Sequence, residues 1–190
     1  MIVLGIDPGT ASTGFGVISA EGSTLRAIDH GLISTPARAH PSRRMGEIHS
    51  RVAALIEQHA PEAVAMEDLF VGVNPRAVLS VGQARGAVLA ACGQAGLDAA
   101  AYPPAEVKAA VCGYGRADKL QVQRMVGAML SADLAAASDH ATDALAVAIC
   151  HVHATPVSAA SPLRRGARAV VAEQPTRNRG TSWRKFKLAL

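Results

Sequence analysis

Over the first 35 residues, apolar positions gather into three runs, Ile2 to Asp7, Thr13 to Ser19 and Leu25 to Ser34. Pro8, Gly9 and Ser12 separate the first two, and Glu21, Gly22 and Ser23 the second two. Short connectors of this kind join neighbouring antiparallel strands, so three antiparallel strands are predicted. From Ser42 the period lengthens: Met45, Ile48, Val52, Leu55 and Ile56 share one helical face until Pro61 stops it. A buried fourth strand, Ala63 to Met66, then runs into Glu67 and Asp68. A second helix is predicted from Pro75 to about Gln94, with Val78, Val81, Ala84, Val88 and Ala91 in helical register and Gly96 as its stop. Leu97 to Tyr102 is a weak fifth strand, closed by Pro103 and Pro104. A helix from near Ala105 is interrupted at Cys112-Gly113-Tyr114-Gly115. Asp118 is placed to cap the next one, Lys119 to Ser131, and Ser138 to cap a last one, Asp139 to about His153. A hairpin-built half followed by β-α-β crossovers predicts an α/β fold: a five-stranded mixed sheet, its first three strands antiparallel, with helices on both faces.

Composition narrows the setting. The chain has 190 residues, 49% of them hydrophobic but only 3% aromatic. Its core must therefore come from Ala, Val, Leu and Ile, which suits helices packed closely on a sheet. Cys92, Cys112 and Cys150 are widely spaced, odd in number and without a C-x-x-C pair, so they read as reduced thiols serving as small core residues. No apolar run approaches the roughly 18 residues of a membrane span, and the apolar start has no basic flank. A cytoplasmic protein without signal peptide is the expectation. The net charge of +4 is uneven. Residues 154–190 carry eight Lys and Arg against Glu173 alone, +7, which leaves −3 for residues 1–153. The expected organisation is thus one folded domain over 1–153 and a basic tail over 154–190, whose Pro, Ser, Arg and Gly content predicts disorder when unbound.

An acidic body raises the question of what its carboxylates do. Asp7 closes an apolar strand just before Pro8-Gly9-Thr10, so its side chain should emerge at the carboxyl edge of the sheet, where open α/β sheets place ligands; an Asp that merely starts a turn is the plain alternative. Glu67 repeats the arrangement on the fourth strand, a plausible neighbour of the first. His140 and Asp143 lie at i and i+3 on one helical face. Asp139, roughly 100° from His140, could simply favour the positive helix end. Acids converging without cations repel one another, and a divalent metal resolves that repulsion. Oxygen ligation suits Mg²⁺ or Mn²⁺, with the imidazole tilting the site towards Mn²⁺. Two such ions about 3.5–4 Å apart can support phosphodiester hydrolysis. His140 could be a ligand, a base or neither.

Five segments in order, GIDPGTASTGFGVI, MEDLF, VGQARGAVLAA, PPAEVKAAVCGYGRADKLQVQRMV and DHATDALAVAICH, together resemble RuvC-type Holliday-junction resolvases over about residues 1–153. The resemblance implies a ribonuclease H-like fold, a homodimer, and symmetric metal-dependent nicking of a four-way DNA junction that leaves 5′-phosphate and 3′-hydroxyl ends. It implies a branch-migration motor as a further partner. Asp7, Glu67 and Asp143 match the invariably acidic positions of the family's motif, and His140 falls where members carry Asp or His. These four are the implied catalytic and metal-holding residues, with two ions of Mg²⁺ or Mn²⁺. Lys108 and Lys119 match positions that contact phosphate, a role that positions a strand without reading its sequence. Phe70 resembles the aromatic that enters the junction and stacks on a base, an interaction worth about 1–3 kcal/mol. Arg76 and Arg85 are candidates for backbone contacts, while Gln83 to Gly86 could equally serve dimer contact.

Other readings give different expectations. A nuclease for RNA or hybrid duplex would share the fold and the metal logic. An ATP-binding protein of the actin and sugar-kinase type shares the Gly-Ile-Asp-x-Gly-Thr loop, but needs two lobes and a second Gly-rich loop. A non-catalytic scaffold predicts the loss of at least one acid, and all three are present.

Overall fold

A computed structural model describes residues 1–68 and 75–155, without the side chains of residues 75–77. By its contacts the chain divides into Met1–Ala160 and Ser161–Leu190, and the described residues all belong to the first unit. Phe70 and the basic tail from residue 156 onward lie outside the described residues.

Ten elements follow one another: β1 (Ile2–Asp7), β2 (Ser12–Glu21), β3 (Thr24–Ser34), α1 (Pro41–His59), β4 (Ala63–Glu67), α2 (Pro75–Gln94), β5 (Ala99–Tyr102), α3 (Pro104–Cys112), α4 (Lys119–Leu130) and α5 (Asp139–Ala154). The sheet order is β3-β2-β1-β4-β5. β1 pairs antiparallel with β2, and β2 with β3; β1 pairs in parallel with β4, and β4 with β5. The predicted five-stranded mixed sheet is the observed one. Both expected caps form: the Asp118 carboxylate accepts from the Gln121 amide and the Ser138 hydroxyl from that of Ala141.

Strand alternation sorts the side chains into two cores. Leu4, Ile6, Val17, Val64 and Met66 face α1 and α2, where they meet Ile48, Val52, Ala84 and Val88. Val3, Ile18 and Ala65 face the other way, into the layer of α3, α4 and α5 with Val107, Val126, Leu145 and Ile149. α5 is the central helix of that layer, buried without interruption from Ala144 to Cys150, as a helix apolar on all sides must be. Cys92 and Cys150 are buried, and Cys112 half-buried.

Two glycines set how close α5 comes. A Cβ on Gly5 of β1 would lie 2.0 Å from the Ala144 carbonyl oxygen, and one on Gly14 of β2 would lie 2.0 Å from that of His140. Any side chain there would lift the helix off the sheet. The start of α5 is thereby held directly over the end of β1.

Candidate active site

The same alternation that builds the cores aims the acids. Asp7 is in phase with Val3 and Gly5, and Glu67 with Ala63 and Ala65, so both side chains emerge on the α5 face. β1 and β4 are parallel neighbours with Ile6 opposite Met66. Asp7 and Glu67 thus end adjacent strands at the carboxyl edge. The first turns of α5 bring His140 and Asp143 to this edge. His140 Nδ1 lies 2.6 Å from Asp7 Oδ2, with the imidazole half exposed and Asp7 17% exposed. An ionised carboxylate can only accept, so this hydrogen bond puts a proton on Nδ1 and leaves Nε2 as the ring atom open to other chemistry.

The acids act on one another electrostatically. Burial, and then the charges of Asp7 and Asp143, push the Glu67 carboxyl up to about 7, against the lowering effect of Lys108 and His140. Burial and Asp7 likewise raise the Asp143 carboxyl, opposed by Lys119 and His140. Among the described residues no three His, Cys, Asp or Glu side chains are yet drawn around a common point. The donor set, carboxylate oxygens from three elements with an imidazole beside them, fits a hard divalent cation.

Lys108 on α3 and Lys119 on α4 line a cleft of about 190 Å³ together with Glu67, Asp143, Val107 and Val122. Lys119 Nζ donates to Asp139 Oδ2 at 3.1 Å, and this bond raises its pKa. The pair is exposed on both sides, 73% and 69%, so it adds little stability and leaves the ammonium free to exchange partners. Asp139 turns to Lys119 from the first turn of α5.

Arg76 lies in the first turn of α2, and its side chain is not among the described ones. Arg85, a candidate for backbone contact with DNA in a segment that could equally serve dimer contact, turns towards the end of β4. Its guanidinium is only 18% exposed, donates from Nη1 to the Glu67 carbonyl oxygen at 3.0 Å and lies 3.4 Å from Asp68 Oδ1. A helical arginine in a small-residue segment gives no sign in the sequence of which way it turns. The sequence pattern also does not single out Ser80, whose Oγ lies 2.7 Å from Thr10 Oγ1 in the turn after Asp7. The Gly5 and Gly14 contacts, by contrast, leave a trace: glycines inside predicted strands mark close backbone approach.

Comparison with known proteins agrees with this geometry. The family model described as "Crossover junction endodeoxyribonuclease RuvC" matches residues 3–151. A protein of that name from Moorella thermoacetica is 47% identical over 156 residues, covering 82% of this chain and 93% of the relative. Another from Rubrobacter xylanophilus is 46% identical over 160 residues, 84% of this chain and 89% of the relative. Among solved structures, Thermus thermophilus RuvC in complex with Holliday junction substrate superposes with a TM-score of 0.77 at 38% identity, covering 80% of this chain and 93% of that one. A yeast mitochondrial Holliday junction resolvase, 15% identical with a TM-score of 0.58, shares the fold.

Proposed function

The chain belongs to the RuvC family of crossover junction endodeoxyribonucleases, and from that membership we propose that it resolves four-way DNA junctions by paired symmetric nicks in recombination and repair. The observation that carries the reading is the convergence of Asp7 and Glu67, at the carboxyl ends of adjacent parallel strands, with His140 and Asp143 from the start of α5.

The family is metal-dependent. For this chain we assign Asp7, Glu67 and Asp143 as the residues that hold Mg²⁺ or Mn²⁺, two ions per site, with His140 beside them. Such cations would offset the carboxylates and stabilise the charge that develops on the scissile phosphate. The protein's own groups do the rest. Lys108 and Lys119 draw the phosphate backbone over the acids and position it. Asp7 orients the His140 ring through Nδ1–H, so that Nε2 can accept a proton from the attacking water. In-line attack expelling the 3′ oxygen leaves a 5′-phosphate and a 3′-hydroxyl.

Symmetric nicking calls for two copies, and α2 offers a surface for pairing them. Leu79 is 67% exposed and Leu89 43%. Gly86 and Gly93 complete the stripe, and a Cβ at either would meet nothing within the chain. Small residues whose size no internal contact demands suit a face where another backbone approaches. Phe70 and Arg76 are proposed for the junction side, and a branch-migration motor as a further partner. Among the described residues no helix is long and apolar enough to cross a membrane; a cytoplasmic location is proposed from the family membership alone.

The test compares a four-way junction, a linear duplex and an RNA–DNA hybrid in Mg²⁺ and in Mn²⁺. We expect nicking of the junction at paired positions and little of the others; preferential cleavage of the hybrid would move the substrate to RNA. Asp7→Asn should still bind the junction at low salt while its nicking rate falls by about a thousandfold or more, the effect of losing several kcal/mol of transition-state stabilisation. A variant that nicks near the parent's rate would remove Asp7 from the site.

A further inference from the structure

Helix α2 lies on the opposite face of the sheet from the acids, yet it holds both strands that carry them. At one point Ser80 Oγ meets Thr10 Oγ1 at 2.7 Å, three residues after Asp7. The Thr10 carbonyl in turn accepts from the Thr35 hydroxyl, and Thr35 Oγ1 accepts from Arg44 Nε at 2.9 Å. At the other point Arg85 Nη1 donates to the Glu67 carbonyl oxygen at 3.0 Å and pairs with Asp68 at 3.4 Å. The Asp68 amide also donates to the Tyr102 carbonyl at 2.8 Å, so the chain beyond Glu67 is held from β5 and from α2 at once.

We propose that Arg85, with Ser80, is a positioning residue for the nuclease reaction: α2 braces the backbones of the two acid-bearing strands from behind and so sets the separation of the Asp7 and Glu67 carboxylates. The guanidinium suits the task. It is permanently charged, and the two N–H bonds of Nη1 can serve the carbonyl and the carboxylate together. Glu67 ends β4, and just beyond it the Asp68 amide bond to β5 and this arginine both hold the backbone. A carboxylate released there would be pushed away from Asp7 and Asp143 by their charge. Arg85 makes no contact with substrate in this role and acts only through Glu67.

The inference rests on the reading of Asp7, Glu67 and Asp143 as the metal-holding acids. Its test uses the full-length protein and three measurements on Arg85→Met, Arg85→Lys and Ser80→Ala: calorimetric titration with Mn²⁺ alone, junction affinity across a salt series in EDTA, and kcat for nicking. Partners that orient metal ligands typically change metal affinity or activity by about 10–100-fold when removed. We expect Arg85→Met to weaken Mn²⁺ binding and kcat by at least about tenfold, with Arg85→Lys and Ser80→Ala in between, while junction affinity and its salt slope stay at the parent's. A loss of thermal stability with Mn²⁺ affinity and kcat intact would overturn the proposal by making the residue merely structural. A weaker junction affinity with the slope flattened by about 0.9 would overturn it in favour of a phosphate contact. Should Arg85→Met fail to fold, Ser80→Ala and Arg85→Lys decide by the same readings. A parent protein that binds no Mn²⁺ and nicks no junction would overturn the nuclease reading itself, whereas an active parent with indifferent variants removes only the brace.

Discussion

At the scale of single residues, Glu67 shows how the arrangement proposed for catalysis weakens the fold that carries it. Its carboxyl, ordinarily near 4.5, is pushed up to about 7 by burial and by Asp7 and Asp143. A group bound more tightly by its proton in the folded state costs stability when it ionises. The cost is absent below about pH 4.5, grows as pH rises, and is complete above about pH 7. In EDTA, then, the parent should lose stability across that interval. Glu67→Gln, which cannot ionise, should be more stable than the parent by about 1–3 kcal/mol at pH 8 and near parity at pH 4.5, allowing for solvent screening at a partly open site. Urea melts at the two pH values measure this. Adding Mg²⁺ at pH 8 should close the gap, because the ion stabilises only the parent's folded state to any extent. A gain of the same size at both pH values would mean that packing, and not ionisation, sets it.

At the scale of elements, the site depends on α5 lying closer to β1 and β2 than side chains permit. Gly14→Ala would put a Cβ 2.0 Å from the His140 carbonyl oxygen, and no rotamer change relieves a contact with backbone. Moving the helix start should cost about 2–3 kcal/mol of stability. It should also lower nicking at least tenfold in protein that remains folded, since His140 leaves hydrogen-bond reach of Asp7. Thermal melts beside nicking rates test both; a folded, fully active Gly14→Ala would show that the helix can shift without consequence. The elements themselves were legible in the sequence because period and punctuation are local. Met45 to Ile56 reads as a helix, Asp118 and Ser138 as caps, and the three N-terminal runs as strands, with errors confined to ends such as β5, which starts at Ala99 and not Leu97. Asp7 and Glu67 were legible as edge acids for the same reason. The grouping of His140 with Asp7, 133 residues away, came only through the family resemblance, and the inward turn of Arg85 was not legible at all, because both depend on which element covers which face of the sheet, and no local pattern encodes that.

At the scale of the whole molecule, charge decides how an acidic body meets DNA. Residues 1–153 carry −3 and the tail +7. Two divalent ions, as proposed, would bring the body to about +1, so metal would serve DNA approach as well as chemistry. The tail's +7 is the other source of attraction on offer, and its share is measurable. Truncation after Thr155 keeps α5 whole, including the bonds from the Thr155 amide and hydroxyl to the His151 carbonyl. Each phosphate that the shortened protein no longer neutralises should flatten the slope of log affinity against log salt by about 0.9. If the tail touches the junction arms, the truncated protein should bind with a slope lower by several such steps and with most of its low-salt affinity gone. It should still nick at saturating DNA with the parent's kcat, because every acid and both lysines of the site remain. An unchanged affinity and slope would make the tail a solvated end and leave DNA attraction to the metal-loaded body alone. A fall in kcat at saturation would instead place some of the +7 at the scissile phosphate.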